Sequence, residues 1–254
     1  VGIASESGSQ LPQFYNKVVA LNNEGHGSWK IRPEVNHSYA RDTNAVLITA
    51  IEFSLVACEY PIVFIESGDS IVPIAVLGLK TGQNLFVTAE NQWDAKYIPA
   101  YVRRYPFILS GDESTPGETT YTVCIDEDYA GFSQDSGEPL FLDSGEHSDY
   151  LKNVVAFLKD YQSQGLATAG FCKTIKKLDI LEPMQANFKA NKGDDITVAG
   201  FMVVNRDKLK SKKPLELAEL VKSDEMGLIY HHLASLTNFS NLTSRYAKSS
   251  TLAA

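Results

Sequence analysis

The residues best suited to chemistry lie in one stretch, Asn91–Leu109, NQWDAKYIPAYVRRYPFIL. Trp93, Tyr97 and Tyr101 recur every fourth residue ahead of the adjacent pair Arg103 and Arg104, with Tyr105 and Phe107 just beyond. Guanidinium groups grip carboxylates or phosphates through paired hydrogen bonds and stack on rings. Concave sites combine aromatic walls with a few such charges. Trp93, Tyr97, Tyr101, Arg103 and Arg104 are therefore the candidate ligand-binding residues. The arginines would hold an acidic group and the rings would supply apolar contact. The competing reading is a segment that links strands, with its aromatics in the core and its arginines paired to carboxylates.

Catalytic and metal signatures are weak by comparison. His26, His37, His147, His231 and His232 form no HExxH or H-x-H arrangement. Neighbours such as His231 and His232 point about 100° apart on a helix, too far to share a metal easily. There is no G-x-S-x-G elbow, Walker A loop or G-x-G-x-x-G fingerprint. No catalytic residue, metal ligand or cofactor is assigned. Asp126 and Asp128 raise the question of a hard cation, but their spacing does not fit an EF-hand loop. From Tyr105 to Leu151 the chain has no Lys or Arg but eleven Asp and Glu, which suggests a solvated acidic face. Its counterpart in sign is the basic turn Arg206–Lys213, RDKLKSKK.

Three cysteines, Cys58, Cys124 and Cys172, lie far apart and in odd number, which argues against a disulfide framework or a thiolate zinc site. All three are expected to be structural thiols, Cys58 on a buried helical stripe. Reduced thiols, and a Ser/Gly-rich Val1–Gln10 without the marks of a secretory signal, fit a cytoplasmic location. With 44% hydrophobic and 21% charged residues the 254-residue chain is globular in type. A net charge of −8 works against broad nucleic-acid binding, which needs a surplus of Lys and Arg. No run approaches the ~20 apolar residues that span a bilayer. Val46–Ile51 meets Glu52, and Ile71–Leu79 contains Pro73 and Gly78.

The elements that would position these residues follow from periodicity. Val46–Cys58 carries Ile48, Ile51, Leu55 and Cys58 at helical spacing, and Tyr60-Pro61 ends it. Pro61–Ile65, Ile71–Leu79 and Asn84–Thr88, separated by Gly-containing turns, predict an antiparallel meander. Pro73 marks an edge or a bend in the second strand. Pro106–Leu109 and Tyr121–Ile125, on either side of the loop Gly111–Glu118, are expected to extend the same sheet. Met184–Ala190 and Ile196–Val204 make a further hairpin around Asn191–Asp194. Helices are predicted over Asp149–Gln164, capped by Ser148 or Asp149 and stopped by Gly165, and over Thr168–Leu181, Pro214–Val221, Asp224–Leu236 and Asn238–Ala247. The fold class is α+β: a β meander in the first half, and a helical second half carrying one more hairpin. Residues 1–12 read as a flexible leader or expression remnant, and 13–254 as a single domain.

The ordered blocks also resemble the bacterial SapC family. They are Glu52-Phe53, Glu59–Phe64, Leu77-Gly78-Leu79 with Gly82, and Asn84–Val87, then Trp93 with Tyr97–Phe107. Ile125-Asp126, Leu140-Phe141 before Gly145, Ala199-Gly200-Phe201 and Leu233–Leu236 follow. The similarity spans roughly Val35–Tyr246. The resemblance implies a bacterial protein tied to surface-layer biogenesis or assembly; together with the absence of catalytic motifs, the leading reading is a non-catalytic binding or assembly protein of that family, linked to surface-layer biogenesis or to peptide or metabolite handling. Its partner would be another bacterial protein or a small acidic or aromatic ligand, while the charge and the apolar runs described above leave no nucleic acid and no membrane-spanning segment. The alternatives are an enzyme, or an obligate accessory of one, acting on a peptide or aromatic metabolite, and a self-assembling structural subunit.

Overall fold

A computed structural model describes residues 11–32, 36–115, 118–189 and 195–252. The expected leader at Val1–Gln10 and the turns at Pro116-Gly117 and Asn191–Asp194 lie outside the described residues. In chain order the strands are β1 (Val18–Ala20), β2 (Lys30–Ile31), β3 (Ala45–Leu47), β4 (Ile62–Ser67), β5 (Ser70–Val76) and β6 (Phe107–Thr115). Then come β7 (Glu118–Asp126), β8 (Phe132–Ser133), β9 (Glu138–Pro139), β10 (Leu181–Lys189) and β11 (Asp195–Val204). The helices are α1 (Asn23–His26), α2 (Phe53–Val56), α3 (Ala100–Arg103) and α4 (Asp149–Lys177). They continue with α5 (Arg206–Lys210), α6 (Pro214–Lys222), α7 (Glu225–Ser235) and α8 (Phe239–Leu252). The class is α+β, as the periodicity predicts. The described chain divides into two compact units, one holding His37–Val102 and the chain from Gln164 onward, the other residues 11–36 and Arg103–Ser163.

The larger unit is built on an antiparallel sheet of order β10-β11-β4-β5-β3. β4 and β5 pair from Ile62↔Ala75 to Ser67↔Ser70 around Gly68 and Asp69, with Gly68 at φ +55° in the left-handed region that glycine enters without a Cβ penalty. Ile62, Val63, Phe64 and Ile65 are all buried, so β4 is covered on both faces and reads as a continuous apolar run. α7 packs against β4 and β11. Phe53 and Phe64 meet Phe171 of α4, and Phe188 and Phe201 meet Phe239 of α8.

Several expectations change here. Val46–Leu47 pairs with β5 as a strand, and helical turns begin only at Ala50. The Val46–Cys58 stripe is therefore out of phase. Ile51 (63% exposed) and Leu55 (52%) face outward, while Glu52, Phe53 and Val56 turn in, and Cys58 is exposed rather than a core thiol. β5 takes its second partner from β3, not from Asn84–Thr88, which is held as turns by bonds such as Asn84 Nδ2 to the Ala40 carbonyl. Pro73 sits just outside the β3 ladder, which ends at Leu47↔Ile74, so its missing N–H removes no bond from that ladder. The hairpin β10–β11 forms as predicted.

The smaller unit has a sheet of order β1-β7-β6 and a short one of order β8-β2-β9. β6 and β7 thus form a hairpin in their own sheet instead of extending the β4–β5 sheet. Ile31, Phe107, Ile125, Leu140, Phe141, Leu151 and Leu158 form its core. Ser148 Oγ accepts the Leu151 amide and starts α4 as expected. Gly165 does not stop that helix, which runs unbroken over 29 residues. A mid-helix glycine costs only about 1 kcal/mol. Gly165 and Gly170 have open space where a Cβ would sit, and Phe171, Cys172 and Ile175 anchor the turns beyond. The basic stretch after β11 is also not a turn: Asn205 caps it into α5 through the Asp207 and Lys208 amides. The α6, α7 and α8 helices match the predicted tail, α8 being longer than expected.

Candidate functional site

The boundary between the units falls between Val102 and Arg103, so the five candidate residues are divided between them. In the larger unit Trp93 donates Nε1–H to the Tyr60 hydroxyl at 2.8 Å, and that hydroxyl donates to the Tyr97 carbonyl. Tyr60 is fully buried, and burial pushes its phenol well above the usual range. The Trp93 ring lies nearly parallel to Phe86, 6.4 Å between centroids, and meets His37 edge-on at 5.5 Å. The Tyr97 hydroxyl donates to Glu52 Oε1 at 2.8 Å, and Tyr101 is 2% exposed.

Glu52 is the centre of this network, and the misphased helix hid it. Its carboxylate is 3% exposed and accepts four hydrogen bonds. Oε2 takes the Thr49 amide and hydroxyl, both at 2.8 Å, while Oε1 takes Tyr97 Oη and the Ala100 amide at 2.7 Å. The Thr49 amide bond is the carboxylate's half of a capping box that closes the turn at Thr49. The pair at Oε1 ties that turn to the start of α3. Glu59 acts in a similar way, accepting the Lys96 and Tyr97 amides.

In the smaller unit Arg103 is exposed and lies over the Phe157 ring at 5.2 Å. Arg104 is half-buried, over Tyr161 at 5.3 Å and Tyr15 at 5.9 Å. Asp126 is fully buried and accepts the Lys17 amide at 2.8 Å, the Asn16 amide at 3.1 Å and Tyr105 Oη at 2.9 Å. Burial, followed by that bond to Asp126, raises the Tyr105 phenol well above its ordinary value. Asp128 is exposed. Among the described residues no three His, Cys, Asp or Glu side chains are grouped to hold a metal ion. Of the acidic stretch, Asp128, Asp135, Glu138, Asp143, Glu146 and Asp149 are exposed, whereas Glu127 is half-buried and Asp126 lies inside.

Two histidines separate sharply in role. His231 is exposed, while His232 is fully buried in α7. The Val204 amide donates to His232 Nε2 at 3.0 Å, so the ring proton resides on Nδ1, which donates to the Ile62 carbonyl at 2.8 Å. Burial lowers its pKa to about 4, which keeps the ring neutral.

An open cleft of about 530 Å³ lies within the larger unit. One wall comes from the original candidate segment, through Asp94 and Lys96 rather than its rings. Cys58 and Glu59 follow α2, and Phe86, 1% exposed, also lines the cleft. α8 contributes Asn241, Ser244, Arg245 and Lys248. Those four fall at i, i+3, i+4 and i+7, one stripe of a helix. That stripe is visible in the sequence, but an element expected to end at Ala247 obscured it. Arg245 crosses the cleft: Nη1 reaches Asp94 Oδ2 at 2.6 Å, Nη2 reaches the Asp94 carbonyl at 2.8 Å, and the guanidinium covers the Phe86 ring at 4.3 Å.

A family model described as SapC matches residues 21–242. The chain belongs to the SapC family. No curated protein and no solved structure matches it. The SapC match includes Phe86, Asp94, Lys96 and Asn241 of the cleft, whereas Ser244, Arg245 and Lys248 lie beyond its end. Among the described residues no helix is long and apolar enough to cross a membrane.

Proposed function

We propose that this SapC-family chain is a non-catalytic binding protein that takes its ligand in the cleft walled by Lys96 and α8. The observation that carries the reading is the cleft itself, whose volume falls in the range of small-molecule sites, about 300–1,000 Å³. The groups that most resemble catalytic ones support it from the other side. Glu52, Asp126 and His232 are buried, and each is engaged by backbone or tyrosine donors and acceptors that fasten elements together. Ligand identity then decides between service to surface-layer biogenesis and peptide or metabolite handling.

Native mass spectrometry of gently purified protein tests this reading. The expected result is a non-covalent adduct that disappears on denaturation and is absent from Ser244→Trp, whose indole fills the cleft from the exposed side of α8. No adduct in the parent protein, or one that Ser244→Trp retains, overturns it.

A further inference from the structure

The partners of the cleft's charged groups specify what kind of ligand it takes. Two carboxylates line it, and both are engaged within the protein. Asp94 is paired with Arg245 at 2.6 Å, and Glu59 accepts the Lys96 amide at 2.9 Å and the Tyr97 amide at 3.2 Å. The cations are not balanced in the same way. Arg245 is committed to Asp94 and to the Leu85 carbonyl. The ammonium groups of Lys96 and Lys248 have no hydrogen-bond or ion-pair partner among the described residues. Lys96, from the loop, and Lys248, from α8, thus line one concavity together with Arg245, and against these three cations stand two carboxylates, Asp94 paired with Arg245 and Glu59 held by neutral backbone amides.

The lining therefore carries one positive charge in excess, and a bound anion offsets it. Lysine ammoniums bind oxyanions as point charges with three donors each. We infer that the cleft binds a small oxyanion, a carboxylate or a phosphate, with Lys96 and Lys248 as its direct ligands. The inference rests on the cleft being the binding site and adds the chemistry of what occupies it. Asn241 and Ser244, on the same helical stripe as Lys248, supply neutral polar contacts beside the anion. Arg245 shapes the floor: clamped to Asp94 and laid over Phe86, it keeps its guanidinium in place whether or not the cleft is filled.

The test uses the full chain and two probes, inorganic phosphate and citrate, titrated by calorimetry at low salt, with neutral glycerol as the comparison. Saturable heats with at least one anion, and none with glycerol, are expected. Lys96→Gln and Lys248→Gln should each weaken that binding about tenfold, the loss expected for one charge-assisted bond. Lys222→Gln, at an exposed position on α6, should leave it unchanged. The affinity should also fall as salt rises, because the ammoniums are open to screening. A phosphate-only response assigns a phosphate-type ligand and a citrate-only response a carboxylate. Heats with neither anion, or heats that both lysine variants retain, overturn the charge assignment. If the native adduct is nevertheless lost in Ser244→Trp, the cleft still binds and only the anion assignment fails. If the adduct is also missing, both fall.

Discussion

Replacing Glu52 should be the most damaging single change in the larger unit, and the structure sets the scale. Glu52→Ala strands the Thr49 amide, the Ala100 amide and the Tyr97 hydroxyl around a side chain only 3% exposed. Each buried donor left without an acceptor costs about 1–3 kcal/mol. Allowing for relaxation and for rotation of the Thr49 hydroxyl, the loss should be roughly 3–5 kcal/mol, a large part of a typical 5–15. Glu52→Gln keeps the shape but turns an amide NH₂ toward donors, and should fall between the parent and Glu52→Ala. Tyr97→Phe removes one donor and should cost about 1 kcal/mol in the parent but far less in Glu52→Ala, because the pair forms one network. The assay is urea denaturation followed by Trp93 fluorescence in a Trp29→Phe background, since Trp29 packs with His26 and Phe132 in the smaller unit. A Glu52→Ala protein within about 0.5 kcal/mol of its parent would refute the reasoning. So would a Tyr97→Phe cost that persists in the absence of Glu52.

Other outcomes follow from the same geometry. Asp126→Asn should destabilise the smaller unit by about 2–4 kcal/mol by disrupting the acceptor shared by three donors, read as faster hydrogen exchange at the Asn16 and Lys17 amides. His232 titrates near 4 when folded and near 6.5 when unfolded, so its contribution is complete above pH 6.5 and drains away as pH falls toward 4. The loss over that window is on the order of 3 kcal/mol, and unfolding of His232→Gln measured at several pH values should lack that part of the slope. Thiol labelling should find Cys58 first, while Cys172, buried and pushed up to about 12, stays inert until the chain unfolds. Cleft occupancy should slow Cys58 labelling; equal rates with and without saturating ligand would show that the thiol does not share the site.

The legible parts of the fold were those where one local signal decided the outcome. The β4–β5 turn at Gly68, the Ser148 cap and the Pro214 start of α6 each have a short-range cause, and each appears where the residues put it. The errors came from long-range partners. Val46–Leu47 has apolar residues that suit a helix or a strand, and only its pairing with β5 selects the strand. Gly165 carries a stop signal that tertiary packing of the following turns overrides. Glu52 looks like a surface residue in sequence because its partners, Tyr97 and Ala100, lie more than forty residues away. The aromatic segment stands out by its composition alone, and the internal contacts of Trp93 with Tyr60 and Phe86 and of Tyr97 with Glu52 depend on partners distant in the chain. The cleft residues come from four separate segments of the chain, so spacing alone could show only the α8 stripe.

The central claim is that ligand enters between the Lys96 loop and α8. Backbone amide shift mapping of the full chain, titrated with whichever of phosphate or citrate binds, tests this most directly. The expected perturbations cluster at Lys96, Asn241, Ser244, Arg245 and Lys248 and saturate together. Perturbations that bypass those residues and centre on Arg103 and Arg104 would contradict the account and return the site to the arginine pair.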